Sequence, residues 1–232
     1  MAELDVYSTI GVRGPVEELV PQFEKASGHT LKMTWGTAPM LVKRIEGGDT
    51  ADVVILSRAG IDGLRQLGKI APGSDVALAS SGVALAVKAG APTPDISTPE
   101  ALTRTLLAVR AISYSEPAAG GASGVYFAKL LERLGIAEAM QPKTKYPPAG
   151  GFAARLLLTG EADLAVQQKP ELMCVPGTEI IGFLPGELNM VTVFAAAITA
   201  GSAKVEASKA LIAMLQSPQS AAVFRAKGLD PS

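Results

Sequence analysis

The sequence predicts an α/β protein built around largely parallel strands, and three observations carry that prediction. Short apolar runs of strand length alternate with helix-length segments along the whole chain. Small or hydroxyl-bearing residues close the early runs, directly before the helix-like segments, at the edge where parallel sheets meet their ligands. The same theme recurs in the second half with no Gly/Ser-rich linker and no solenoid repeat, so two lobes joined by crossing strands fit the chain.

The elements follow in order. LDVYS (4–8) reads as strand, VEELVPQFEKAS (16–27) as helix, TLKMTW (30–35) as strand, PMLVKRIEGG (39–48) as helix and ADVVILS (51–57) as strand. This is β-α-β-α-β, the pattern of a parallel sheet covered on both faces. The three strand ends are Ser8-Thr9, Gly36-Thr37 and Ser57-Arg58. Ser and Thr are also the common helix caps, so each hydroxyl has a purely structural reading beside the ligand-facing one. VALAVKAG (83–90), a helix from about Pro99 and RAISYS (110–115) follow. GGFAARLLLTGEADLAVQQ (150–168) reads as a helix opened by Gly150-Gly151, then a strand ending in Gln167 and Gln168. LNMVTVFAAAITA (188–200) reads as a long apolar strand, and helices near 204–216 and 218–227 close the chain.

Within the second half lies YSEPAAGGASGVYFAKLL (114–131), where Gly, Ala and Ser run straight into a helical pattern ending near Arg133. Small residues at a helix start leave its first N–H groups uncovered, and the helix dipole adds partial positive charge there. An anion is the expected guest, with Ser115, Gly121, Ser123 and Gly124 as donors. On the alternative reading Ser123 simply caps the helix.

Composition narrows the function. The chain has 232 residues, 48% of them hydrophobic, enough for one large domain or two small lobes. A net charge of -1, a pI near 5.9 and 5% aromatic residues argue against a nucleic-acid surface. Cys174 is the single cysteine, which excludes an internal disulfide and a cysteine-rich metal site. His29, the single histidine, sits in the loop-like ASGHT without the partners that metal or catalytic work needs. No window reaches the roughly 18 apolar residues of a membrane span, and MAELDVYST lacks the basic and apolar regions of a signal peptide. There is no GxSxG elbow, HExxH, P-loop or Ser-His pairing, and GGASG lacks dinucleotide-fingerprint spacing. No metal and no cofactor are expected.

The ordering FEKASGHTLKMTWGTAPMLVKRIEGGDTADVVILS, GVALAVKAGAP, LLERLGI, GEADLAV and SPQSAAVFRAKG resembles the solute-binding proteins of bacterial ABC importers, closest to their molybdate-binding branch, over nearly the whole chain. The resemblance implies a type II periplasmic-binding fold, two α/β lobes closing by hinge motion on a ligand in a central cleft. It implies lobe one as residues 1–80 plus 196–232 and lobe two as 81–195. It further implies a monomer that captures a small anion for an importer permease, in the periplasm after removal of an export signal.

Carried over position by position, the branch's first serine falls on Gly11, and its second-strand serines leave only Thr37 in GTAPM. The small residue before its third binding helix falls on Ser123, a backbone donor on Gly150 and its closing tyrosine on Gln168. Arg13 and Arg58 stand where the branch has uncharged residues. A dehydrated tetrahedral oxyanion is held by neutral donors, whereas a guanidinium matches a planar carboxylate with two parallel hydrogen bonds. The expected ligand is therefore an organic di- or tricarboxylate, seated by Ser8, Thr9, Gly11, Thr37, Ser57, Arg58, Ser115, Gly121, Ser123, Gly124, Gly150, Gly151, Gln167 and Gln168.

The chain is similar also to the aconitate isomerases of the same branch, through SEPAAGGASGVYFAKLL, AVQQKPELMCVPG and IGFLPGELNMVTVF. On that alternative a proton is moved on a tricarboxylate, with Glu116, Lys169, Glu171 and Tyr126 as candidates for the base and the intermediate's stabilisers.

Overall fold

The computed structural model describes residues 1–148 and 150–232. The chain runs through β1 (Glu3–Thr9), α1 (Arg13–Ser27), β2 (Thr30–Gly36), α2 (Ala38–Glu46), β3 (Val53–Ser57), α3 (Arg58–Gln66) and the long β4 (Val76–Lys88). Next come α4 (Pro99–Ala108), β5 (Ile112–Tyr114), α5 (Ala122–Arg133), α6 (Ala137–Met140), β6 (Thr144–Lys145), α7 (Arg155–Leu158), β7 (Leu164–Gln168), α8 (Lys169–Met173) and β8 (Thr178–Phe183). It ends with β9 (Val191–Ile198), α9 (Val205–Leu215), α10 (Pro218–Ala226) and β10 (Asp230–Pro231). Two compact units result, Met1–Ser80 with Thr192–Ser232, and Ser81–Val191. β4 carries the chain out of the first unit and β9 carries it back.

In the first unit β1 pairs in parallel with β2 and β3, while the returning β9 lies antiparallel to β3. Side-chain alternation splits its core into two layers. Leu4, Val6, Val53, Ile55, Ala196 and Ile198 face α1, α9 and α10, burying Val16, Leu19, Phe23, Leu211 and Phe224. Tyr7, Val54, Leu56, Ala195 and Ala197 face α2 and α3, burying Leu41, Ile45, Ile61 and Leu64. Apolar residues on successive positions of VVIL are what a strand covered on both faces requires. Register places Ser8 opposite Trp35 and Ile55, and Thr9 opposite Gly36, so the carboxyl ends of all three parallel strands reach one edge together.

In the second unit β7 and β5 are parallel, as are β5 and β6, and β4 lies antiparallel to β7 and β8. The two faces differ in residue size. Val83, Leu85, Val87, Ile112, Tyr114, Leu164 and Val166 meet the longer helices α4 and α5 through Leu102, Leu106, Phe127 and Leu130. Ala84, Ala86 and Ala165 face Ala153, Ala154, Leu156, Leu157 and Leu172, on short segments that approach closely. The alternation in VALAVK thus encodes which side takes a helix and which takes a tight turn.

Two expectations change. Gly150-Gly151 does not open a helix: Gly150 is left-handed at φ +73°, Gly151 donates its N–H to the Pro148 carbonyl at 2.7 Å, and α7 starts only at Arg155. The pair makes a turn because only glycine takes that φ without strain. Ser123 does not cap α5, whose N-cap is Gly121, with no side-chain cap bond.

Candidate functional site

At the strand-end edge of the first unit, capping and ligand-facing chemistry coexist. Thr37 Oγ1 accepts from the Met40 N–H at 3.4 Å and Ser57 Oγ from the Gly60 N–H at 3.3 Å, so both cap their helices. Capping uses a lone pair and leaves a hydroxyl its proton to donate. Thr9 is buried directly before a short 3₁₀ turn, Ile10–Val12, that leads into α1. Ser8 is fully buried and donates to the Thr9 carbonyl at 3.3 Å. Gly11 has a packing cause, since a Cβ there would stand 2.7 Å from the Phe194 ring.

The arginines separate. Arg13 is paired with Glu17 at 2.7 Å and lies over the Trp35 ring, a partly exposed arrangement. Arg58 opens α3, and its Nη1 meets Asp75 Oδ2 at 2.7 Å, the same oxygen that Arg65 reaches at 2.6 Å. Hydrogen bonding from Arg58 holds the Asp75 carboxyl below its ordinary value. Asp75 thereby orients one side of the Arg58 fork, and the remaining donors have no partner among the described residues. Asp75 gave no signal in the sequence because it sits in the loop beyond α3.

In the second unit the small residues of 114–131 serve two ends. Gly124 is bare because α5 lies on the chain's own backbone: a Cβ there would stand 2.1 Å from the Ser115 carbonyl oxygen. A Cβ on Gly121 would stand 3.4 Å from the Ser115 Cβ, an ordinary contact. The close approach places the Ser115 side chain against the first turn of a twelve-residue helix. Ser123, at the second position of that helix, is buried, and its hydroxyl has no partner among the described residues. Uncovered first-turn N–H groups with hydroxyls beside them suit an anion. Gln167 and Gln168 are buried at the end of β7, Gln167 bonded to Ser115 and to the 151–153 turn.

Of the candidates for proton transfer, Tyr126 donates to the Leu188 carbonyl at 2.9 Å, Glu116 is exposed and Lys169 lies over the Phe183 ring at 5.4 Å. Glu171 differs. It is buried in α8, where it completes a capping box by accepting the Gln168 N–H at 3.1 Å. Burial pushes its carboxyl up to about 7, against the single opposing pull of that N–H. A carboxyl titrating near neutrality can both take and return a proton. Among the described residues no cluster of His, Cys, Asp and Glu could hold a metal ion, and no helix is long and apolar enough to cross a membrane.

Two α/β units, each bringing strand ends and helix starts to one edge, define the type II periplasmic-binding fold. The chain belongs to the bacterial extracellular solute-binding proteins, a family whose pattern matches residues 4–230. It is 34% identical over 234 residues to an aconitate isomerase of Pseudomonas sp, covering 98% of this chain and 87% of that protein. In structure it is similar to a periplasmic molybdate-binding protein of Azotobacter vinelandii, with TM-score 0.81, 22% identity and coverage of 97% and 98% of the two chains. A sulfate-binding protein of Mycobacterium tuberculosis superposes with TM-score 0.77 at 16% identity, covering 100% and 87%. At 16% and 22% identity these structural likenesses show the shared fold.

Proposed function

We propose that the protein is an extracytoplasmic receptor that captures a small organic di- or tricarboxylate and presents it to an ABC-importer permease. The observation that carries the carboxylate is Arg58, a guanidinium at a helix start, oriented by Asp75 and still holding unused donors, where neutral groups alone would suit a tetrahedral oxyanion. Beside it in the same unit, the Ser57 hydroxyl and the first turn of α3 supply neutral donors. Kinship at 34% identity with an enzyme named for a tricarboxylate supports the same class of ligand.

A second reading is favoured by one observation, the buried Glu171 whose carboxyl titrates near neutrality. On it the protein is an isomerase. A base removes a proton from the carbon next to the double bond of aconitate, the negative charge spreads over the allylic system and its carboxylates, and the proton returns at the other end. The step is redox-neutral and needs no cofactor. Proton NMR of cis- and trans-aconitate incubated with the protein separates the two readings. Bound but unchanged isomers support the receptor, interconversion faster than the protein-free control supports the enzyme, and absence of binding to either isomer or to other di- and tricarboxylates contradicts both.

A further inference from the structure

Gln167 sits at the heart of the second unit's strand-end edge, fully buried, yet every hydrogen of its amide is used inside the protein. Its Oε1 accepts the Ala153 N–H at 2.6 Å, while Nε2 donates to Ser115 Oγ at 2.9 Å and to the Gly151 carbonyl at 3.3 Å. The orientation of this amide has one solution, because a backbone N–H can only donate and a carbonyl can only accept. Oε1 must therefore face Ala153, and the two Nε2 hydrogens must face Gly151 and Ser115. Ser115 Oγ is thus obliged to accept, and its own proton has no acceptor among the described residues.

Register explains why these groups meet. Ser113 pairs with Ala165, so two residues further on Ser115 and Gln167 fall on the same small-residue face, beside the turn that carries Ala153. Ser115 Oγ lies 3.8 Å from where a Cβ of Gly121 would be, hence against the start of α5, whose second residue is the buried Ser123, a hydroxyl with no partner among the described residues.

We infer that Gln167 is a positioning residue: it does not touch the ligand but holds the Ser115 hydroxyl as a donor toward an anion at the α5 N-terminus. This rests on the reading of that edge as part of an anion site. It also fixes the Gly151–Ala153 turn, so one side chain sets both the proton direction and the backbone beside it. The directed test is Gln167→Glu at alkaline pH. The side-chain size and the Ala153 bond persist, the bond to the Gly151 carbonyl is lost, and the second oxygen now demands the serine proton and turns it inward.

Calorimetric titrations of the wild type, Gln167→Glu, Ser115→Ala and the double variant, with cis- and trans-aconitate and molybdate as probes, read the coupling. Each single variant is expected to weaken probe binding by about tenfold or more, and Gln167→Glu to cost distinctly less in the Ser115→Ala background than it costs alone, the remainder being its added charge and the lost Gly151 bond. Losses that simply multiply, or a Ser115→Ala protein that binds like wild type, overturn the inference. The second criterion decides alone if circular dichroism shows Gln167→Glu to be unfolded. If molybdate binds and neither aconitate isomer does, the carboxylate reading fails while the same cycle, run with molybdate, still decides the role of Gln167. A wild type that binds none of the probes overturns the role given to Ser115 and Gln167 here.

Discussion

On the proposed function a single side chain, Arg58, carries the choice of ligand. Its pairing with Asp75 costs it one donor and gives it a fixed direction, the pre-organisation that makes a planar bidentate contact specific. Arg58→Ala is expected to weaken carboxylate affinity by more than about tenfold in titration calorimetry; unchanged affinity would remove the residue from the site. Glu171 yields a second prediction. Its folded value, about 7, lies above that of an unfolded glutamate, so the folded state holds the proton that the unfolded state has released between about pH 4.3 and 7. Its contribution to stability therefore falls as pH rises through that window and is level above it. Glu171→Gln, which retains the carbonyl that caps Gln168, is expected to remove that decline, raising stability at pH 8 relative to wild type by on the order of 3 kcal/mol, read by denaturant unfolding at several pH values. An unchanged pH profile would contradict the buried, neutral-range carboxyl.

At the scale of elements, α5 depends on an absent side chain. Gly124→Ala would drive a Cβ into the Ser115 carbonyl, which is backbone and cannot swing aside, so the helix must shift. A loss of about 1–3 kcal/mol is expected in denaturant unfolding, with weaker anion binding because Ser115 moves with the contact; wild-type stability would contradict the close approach. The same segment shows what a sequence can disclose. β3 was legible because covering on both faces forces a continuous apolar strand, and the edge strand β2 because Leu31, Met33 and Trp35 alternate onto the one covered face. The small residues of 119–124 were legible as a close approach, but not as an approach to the chain's own Ser115. β8 escaped detection because TEIIGF is half-exposed throughout and has neither clean alternation nor a fully apolar run. Gly150-Gly151 was misread because FAARLLL has helical character and only the φ of Gly150 reveals the turn. Asp75 and the three bonds of Gln167 were out of reach, since they join positions distant in the chain.

The first unit is discontinuous in sequence, and the returning segment after β9 must be fastened to strands made from the N-terminal residues. Asp52 does this. Buried at the start of β3, it accepts from the Asp5 N–H at 2.9 Å, from Ser202 Oγ at 2.7 Å and from Lys204 Nζ at 2.9 Å. Burial works against its charge, but the bonds from Lys204, Ser202 and Asp5 together hold its carboxyl below the ordinary value. Stability from this group is present above the unfolded aspartate value and is lost as pH falls through the folded one. Asp52→Ala is expected to cost about 3 kcal/mol at neutral pH and much less in acid, by denaturant unfolding; a pH-independent loss would contradict the charge-based account.

The central claim concerns what the assembled protein holds. Its most direct test is a calorimetric titration of the purified protein with a tricarboxylate, trans-aconitate, beside molybdate and sulfate under the same conditions. The account predicts saturable binding of the tricarboxylate at least about tenfold tighter than either oxyanion, because a planar carboxylate can accept two parallel hydrogen bonds from the oriented guanidinium of Arg58. Tight binding of molybdate or sulfate with none of the tricarboxylate would contradict it.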